Sequence, residues 1–161
     1  MIFVTVGTNE AAFDRLLEAV KGLQTGDEEI VVQHGSSAIR PANASRTYDF
    51  LLFDDLVEVM RSARVVVTHA GIGSIMTALS CGRRPVVAAR LVAHREAVDD
   101  HQLPVARRLE AAGLVTLVED LSRLDEAVAK AGEQVEVSLG ADERLVTELR
   151  DYIRDAIGYS R

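Results

Sequence analysis

Residues 65–82 read VVVTHAGIGSIMTALSCG. The stretch opens as a strand, with three consecutive valines from Val65. It passes through His69, Gly71 and Gly73 and continues as a helix from about Gly73 to Cys81, with Gly82 where a helix-ending glycine belongs. A strand that enters a helix through two glycines leaves backbone N–H groups uncovered at the helix start. Those donors and the helix dipole favour an anion. The dipole contributes about 0.3–1 kcal/mol at an exposed site, and hydrogen bonds to charged oxygens ~1.5–3 kcal/mol each. Glycine lets a ligand come close to the backbone. Ser74 can cap the helix and donate to a phosphate, and His69 can donate a further hydrogen bond or, when protonated, supply charge. The same residues also suit a plain strand–helix turn in which the glycines only permit close packing, and the residue types leave both readings standing. The motif is neither a Gly-Lys-Ser/Thr phosphate loop nor the dinucleotide GxGxxG.

Outward from this stretch the chain repeats the strand–helix alternation. Strands are expected at Ile2–Val6, Glu29–Gln33, Thr47–Phe53, Arg64–Thr68, Pro85–Ala89 and Leu114–Val118. Helices are expected at Ala11–Leu23, Leu56–Ser62 capped by Asp54 or Asp55, Gln102–Ala112 closed by Gly113, Leu121–Ala131, and a final amphipathic helix over 141–158. The segment His34–Arg46 is long for a connection, which suggests a functional loop. Nearly all-apolar strands alternating with helices predict an α/β, doubly wound parallel sheet, Rossmann-like, in one domain over residues 1–161.

Ligands of such folds bind beyond the carboxyl ends of the strands. Three loops there are unusual: Gly7-Thr8-Asn9, the His69–Ser74 turn, and the segment carrying His94, Glu96, Asp99, Asp100, His101 and Gln102. Pro104 cannot sit deep in a helix, so Asp99–Gln102 belong at or just before a helix start facing the same edge. Asp100 or His101 can cap that helix. Gln102 both donates and accepts, which suits sugar hydroxyls.

The 161 residues suit one domain, and the net charge of −7 argues against a nucleic-acid binder that works by bulk charge. Arg83, Arg84, Arg90, Arg95, Arg107 and Arg108 can form a local basic patch or a solvated surface. The single cysteine, Cys81, cannot form an internal disulfide, so a reducing, cytoplasmic setting is expected. No signal peptide or membrane span is legible. His69, His94 and His101 lack close ligand spacing and there is no cysteine pair, so no metal site is expected. No GxSxG elbow is present.

Taken in order, VTVGTN, LLFDDL, VVVTHAGIGSI, a proline followed by H-x-E-x-VDDHQ, and EAAGLV resemble the C-terminal, donor-binding half of family-28-type glycosyltransferases. The resemblance runs from Ile2 to about Val118 and is most similar to donor subunits of split transferases. These include the catalytic subunit of the dolichol-linked GlcNAc transferase and bacterial exopolysaccharide counterparts. It implies one half of a GT-B architecture and a UDP-sugar as substrate, with no cofactor. It implies inverting transfer of a hexose-type sugar to a lipid-linked acceptor, and no metal held by Asp-x-Asp, a motif absent here. By the same resemblance His69, Gly71, Gly73 and Ser74 hold the diphosphate, with His69 stabilising the leaving group, and Gly7, Thr8 and Asn9 line the cleft. Leu52 and Phe53 match the segment that reads uracil, and Gln102 with Asp99, Asp100 and His101 contacts the sugar or ribose. Relatives often place a glutamate on the ribose where Thr77 stands. The implied partner is a membrane-anchored second glycosyltransferase subunit, which would hold this chain at the membrane periphery. A non-catalytic UDP-sugar-binding or regulatory module and a UDP-sugar epimerase fragment are the alternatives.

Overall fold

The computed structural model describes residues 1–131. The expected helix over 141–158, with its stripe of Leu145, Leu149, Tyr152, Ile153 and Ala156, lies outside the described residues. The strands are β1 (Ile2–Thr5), β2 (Ile30–Gln33), β3 (Arg46–Tyr48), β4 (Val65–His69), β5 (Val86–Ala88) and β6 (Thr116–Leu117). The helices are α1 (Asp14–Val20), α2 (Phe53–Ser62), α3 (Ile72–Ser80), α4 (Gln102–Ala111) and α5 (Leu124–Ala131), with single 3₁₀ turns at Val92–His94 and Leu121–Arg123. All pairings are parallel, in the order β3-β2-β1-β4-β5-β6. The doubly wound expectation holds.

Side-chain alternation on the buried strands feeds two cores. Ile2, Val4, Ile30, Val32, Val65 and Val67 meet Leu16, Leu17 and Val20 of α1 and Leu124 and Val128 of α5 on one face. Phe3, Val31 and Val66 meet Met60 of α2 and Ala78 of α3 on the other. Val87 extends that second face onto Ile75 and Leu79 of α3 and Val105 and Leu109 of α4. The order in which strands are added reverses between β1 and β4, where Thr5 lies opposite Thr68. That reversal opens a crevice at the carboxyl edge.

Two expectations are corrected, and two further features find their place in the fold. Strand β3 ends at Tyr48, and Phe53 is the first residue of α2 rather than the end of a strand. The α2 N-cap is Leu52 and carries no side-chain cap, so neither Asp54 nor Asp55 caps; both stand in the first turn, favourably placed for the dipole. The segment from His34 to Arg46, expected as a functional loop, is a crossover fastened along α1. Ser37 Oγ accepts from Phe13 N at 2.8 Å, Asp14 Oδ1 accepts from Ala38 N at 3.1 Å, and Asn43 Nδ2 donates to Val20 O at 3.0 Å. The arginines form no common patch. Arg83 donates to Arg61 O, Arg84 to Val115 O, Arg107 pairs with Glu119, and Arg90 is fully buried.

Candidate functional site

The crevice is built from the loops after β1 and β4, which the sheet brings side by side. Gly7 follows β1 with a φ of +77°, a left-handed conformation that a side chain rarely adopts. Any Cβ there would strike the imidazole of His69, and a Cβ on Gly71 would strike the same ring from the other side. The two glycines therefore make the notch in which His69 sits, with its Nε2 edge between the loops. Thr68 Oγ1 lies 3.3 Å from His69 Nδ1. Burial, and then the nearby Arg90 cation, pushes His69 down from the ordinary histidine value to about 4. The ring is neutral at physiological pH and offers one N–H rather than a charge, which corrects one of its two expected roles.

Helix α3 begins at Ile72 with Gly71 as N-cap and no side-chain cap, so Ser74 does not cap it. Ile75 N is the first to find an acceptor, Gly71 O at 3.1 Å. Ahead of it, the N–H groups of Ile72, Gly73 and Ser74 make no hydrogen bond among the described residues. Nothing lies within 4 Å of a Cβ built on Gly73. The second glycine of the motif thus faces open space, not protein packing. Of the two readings of this turn, close packing accounts for Gly71, whose Cβ would meet protein, and does not account for Gly73. Thr77, one turn on, donates its hydroxyl to Gly73 O at 2.8 Å, leaving only lone pairs for a ligand.

Thr8 and Asn9 are exposed at the rim. Asn9 Oδ1 accepts from Ala11 N at 2.8 Å, a side-chain turn that leads the chain into α1. Leu52 and Phe53 are strongly exposed (78% and 67%) at the start of α2, which packs beside α3, so an apolar rim borders the crevice.

The third loop joins the site through Gln102, the first residue of α4, with Pro104 in the first turn as expected. Gln102 is buried, and its Oε1 accepts from Arg90 N at 3.1 Å, which leaves its NH₂ to donate. Asp100 does not cap α4; its carboxylate accepts from Val92 N at 2.8 Å and fastens the 3₁₀ turn. His101 is the N-cap residue but its side chain bonds Asp99, whose carboxyl that hydrogen bond lowers. Both are exposed. Sequence reading missed the support beneath. Arg90 donates to Val6 O at 2.7 Å, Ala11 O at 2.8 Å, and Ala12 O and Glu96 O at 3.2 Å, and stacks over Phe13 at 4.9 Å. Only its position directly after an apolar strand hinted at burial. Among the described residues no group of three or more His, Cys, Asp or Glu side chains is placed to hold a metal ion.

The chain is 31% identical over 123 residues to the human "UDP-N-acetylglucosamine transferase subunit ALG13", covering 70% of this chain and 10% of that protein. It is 32% identical over 84 residues to the protein of the same name from Yarrowia lipolytica, covering 52% of this chain and 38% of the relative. It therefore spans well under half the length of these relatives. Among solved structures, the glycotransferase of kitacinnamycin superposes with a TM-score of 0.59 at 20% identity, over 96% of this chain and 38% of that one. MurG from Acinetobacter baumannii gives 0.53 at 20% identity, over 92% of this chain and 49% of that one. At such identity these two likenesses speak for the fold alone. Residues 1–144 match the family described as "Glycosyltransferase family 28 C-terminal domain", and the chain belongs to that family.

Proposed function

We propose that this domain is the donor-binding half of a UDP-sugar-dependent glycosyltransferase. The observation that carries this reading is the pair of facing loops at the sheet's reversal point, with the uncovered N–H groups of Ile72, Gly73 and Ser74 above open space at Gly73. A diphosphate seated there accepts from those N–H groups, from the neutral His69 and from the Ser74 hydroxyl. Gly7, Thr8 and Asn9 close the opposite wall. Transfer builds negative charge on the departing UDP, and preorganised donors stabilise that charge as the glycosidic bond breaks. Gln102, with Asp99, Asp100 and His101 beside it, meets the sugar or ribose. Leu52 and Phe53 border the uracil.

In this reading a hexose-type sugar passes with inversion to a lipid-linked acceptor in polysaccharide or glycolipid synthesis. The name of these relatives makes UDP-N-acetylglucosamine the first donor to test. The acceptor and its proton-accepting base lie on a membrane-anchored second subunit that holds this cytoplasmic chain at the membrane; no helix among the described residues is long and apolar enough to cross one. A second reading, a UDP-sugar-binding module without transfer, draws on Thr77, whose hydroxyl proton is committed to the helix backbone where relatives often carry a ribose-binding glutamate.

The test is calorimetric titration of the chain with UDP. Gly73→Val should abolish binding while circular dichroism and melting stay near wild type, because a Cβ at that position points into open space. Unchanged UDP affinity in that variant rejects the site.

A further inference from the structure

Beneath the crevice lie three ionised side chains drawn from positions up to 81 residues apart. Arg15 grips Glu96 with two bonds, Nε to Oε1 at 3.0 Å and Nη2 to Oε2 at 2.9 Å, and also donates to Ala89 O at 2.9 Å. The Glu96 carboxylate further accepts from Leu91 N at 3.1 Å, while Arg90 donates to the Glu96 carbonyl and to Val6 O, the residue before Gly7. Arg90 is wholly buried, Glu96 is 3% exposed, and the Arg15 side chain is 24% exposed. Two guanidiniums stand against one carboxylate, which Arg15 alone bonds, so the cluster holds one uncompensated positive charge. Arg90 keeps its proton in spite of burial, and its Nε–H is buried without a partner. A buried charge is costly unless something pairs with it. The acidic groups of the rim, Glu10, Asp99 and Asp100, are exposed, so water screens them. Arg90 Nη2 bonds Val6 O at 2.7 Å, one residue from the Gly7 wall of the notch, and its charge helps to lower His69.

We propose that the Arg15–Glu96–Arg90 cluster is a fixed positive charge beside the His69 notch that draws the diphosphate into the crevice and is neutralised by it. The proposal rests on the reading of the crevice as a diphosphate site. It assigns opposite signs to two neighbouring substitutions. Arg15→Gln removes the net charge and should weaken UDP binding about tenfold; Glu96→Gln adds one and should strengthen it by a similar factor. Arg15→Lys restores the charge without the two-pronged bond and should bind as wild type does. Uridine, which carries no charge, should respond to none of them.

Calorimetry with UDP, uridine and inorganic pyrophosphate, on variants checked by circular dichroism, supplies the test. Equal weakening by Arg15→Gln and Glu96→Gln, or no change in either, overturns the proposal and leaves only a structural strap. If Glu96→Gln does not fold, loss in Arg15→Gln with retention in Arg15→Lys supports the charge, and equal affinity in the two overturns it. UDP binding that ignores these charges overturns the cluster alone. Pyrophosphate binding that follows them without any UDP binding overturns the nucleotide reading and keeps the cluster.

Discussion

At the residue scale the site turns on one imidazole and the two glycines that give it room. His69 has a neighbour on each side that must lack a side chain, which ties a residue on β4 to one after β1. Its titration has a consequence for stability. The folded value of about 4 lies below the ordinary value of 6.5, so between those limits the unfolded chain binds more protons. The contribution is fully present above pH 6.5 and is lost as the pH falls through 4, at ~1.4 kcal/mol per unit of the shift. Urea midpoints of wild type and His69→Gln measured across that window should converge on acidification, because only wild type loses this contribution. A constant difference would show that the ring is not held neutral by the fold.

At the scale of elements, the β5–α4 connection is a strap whose end residue does two things at once. Gln102 accepts from Arg90 N with its oxygen and keeps its NH₂ to donate. Gln102→Ala leaves a buried N–H without an acceptor and should cost about 1–3 kcal/mol of stability in thermal or urea denaturation. In calorimetry the same variant should lose affinity for a UDP-sugar while UDP itself changes little. Equal losses for both ligands would move Gln102 from the sugar to the nucleotide. The third strand shows where element reading fails. Leu51, Leu52 and Phe53 form a short apolar run, and such a run does not say whether it is a buried strand or the rim of a cleft. The chain turns after Tyr48, and Leu52 and Phe53 end up exposed.

At the scale of the molecule, the exposed large apolar side chains among the described residues, Phe50, Leu52, Phe53, Val92 and Val98, all follow the carboxyl ends of β3 and β5. A cleft enzyme of this architecture needs a second wall for the acceptor. Co-expression with a membrane-anchored subunit should give a pair that pulls down together and transfers sugar from UDP-sugar to a polyprenyl-diphosphate-linked acceptor. The chain alone should bind UDP yet transfer little. Equal turnover by the single chain and the pair would reject the split arrangement, and UDP binding without turnover by any pair would favour the non-catalytic module.

The sequence by itself determined the alternation of elements and the class of sheet, because strand and helix periods are local properties of the chain. It also determined the glycine-opened turn after β4 and the helix start near Gln102, since two glycines at a helix start and a proline in the first turn of α4 act within a few residues. Only the tertiary structure decided what stands behind that turn. Whether Arg90 is a surface charge or a buried clamp depends on carbonyls at Val6, Ala11 and Ala12, far off in the chain, and its partner Glu96 is shared with Arg15. The neutrality of His69 likewise depends on burial and on Arg90. Charge state and burial are sums over neighbours in space, and those neighbours are fixed when β1, β4 and β5 are laid side by side.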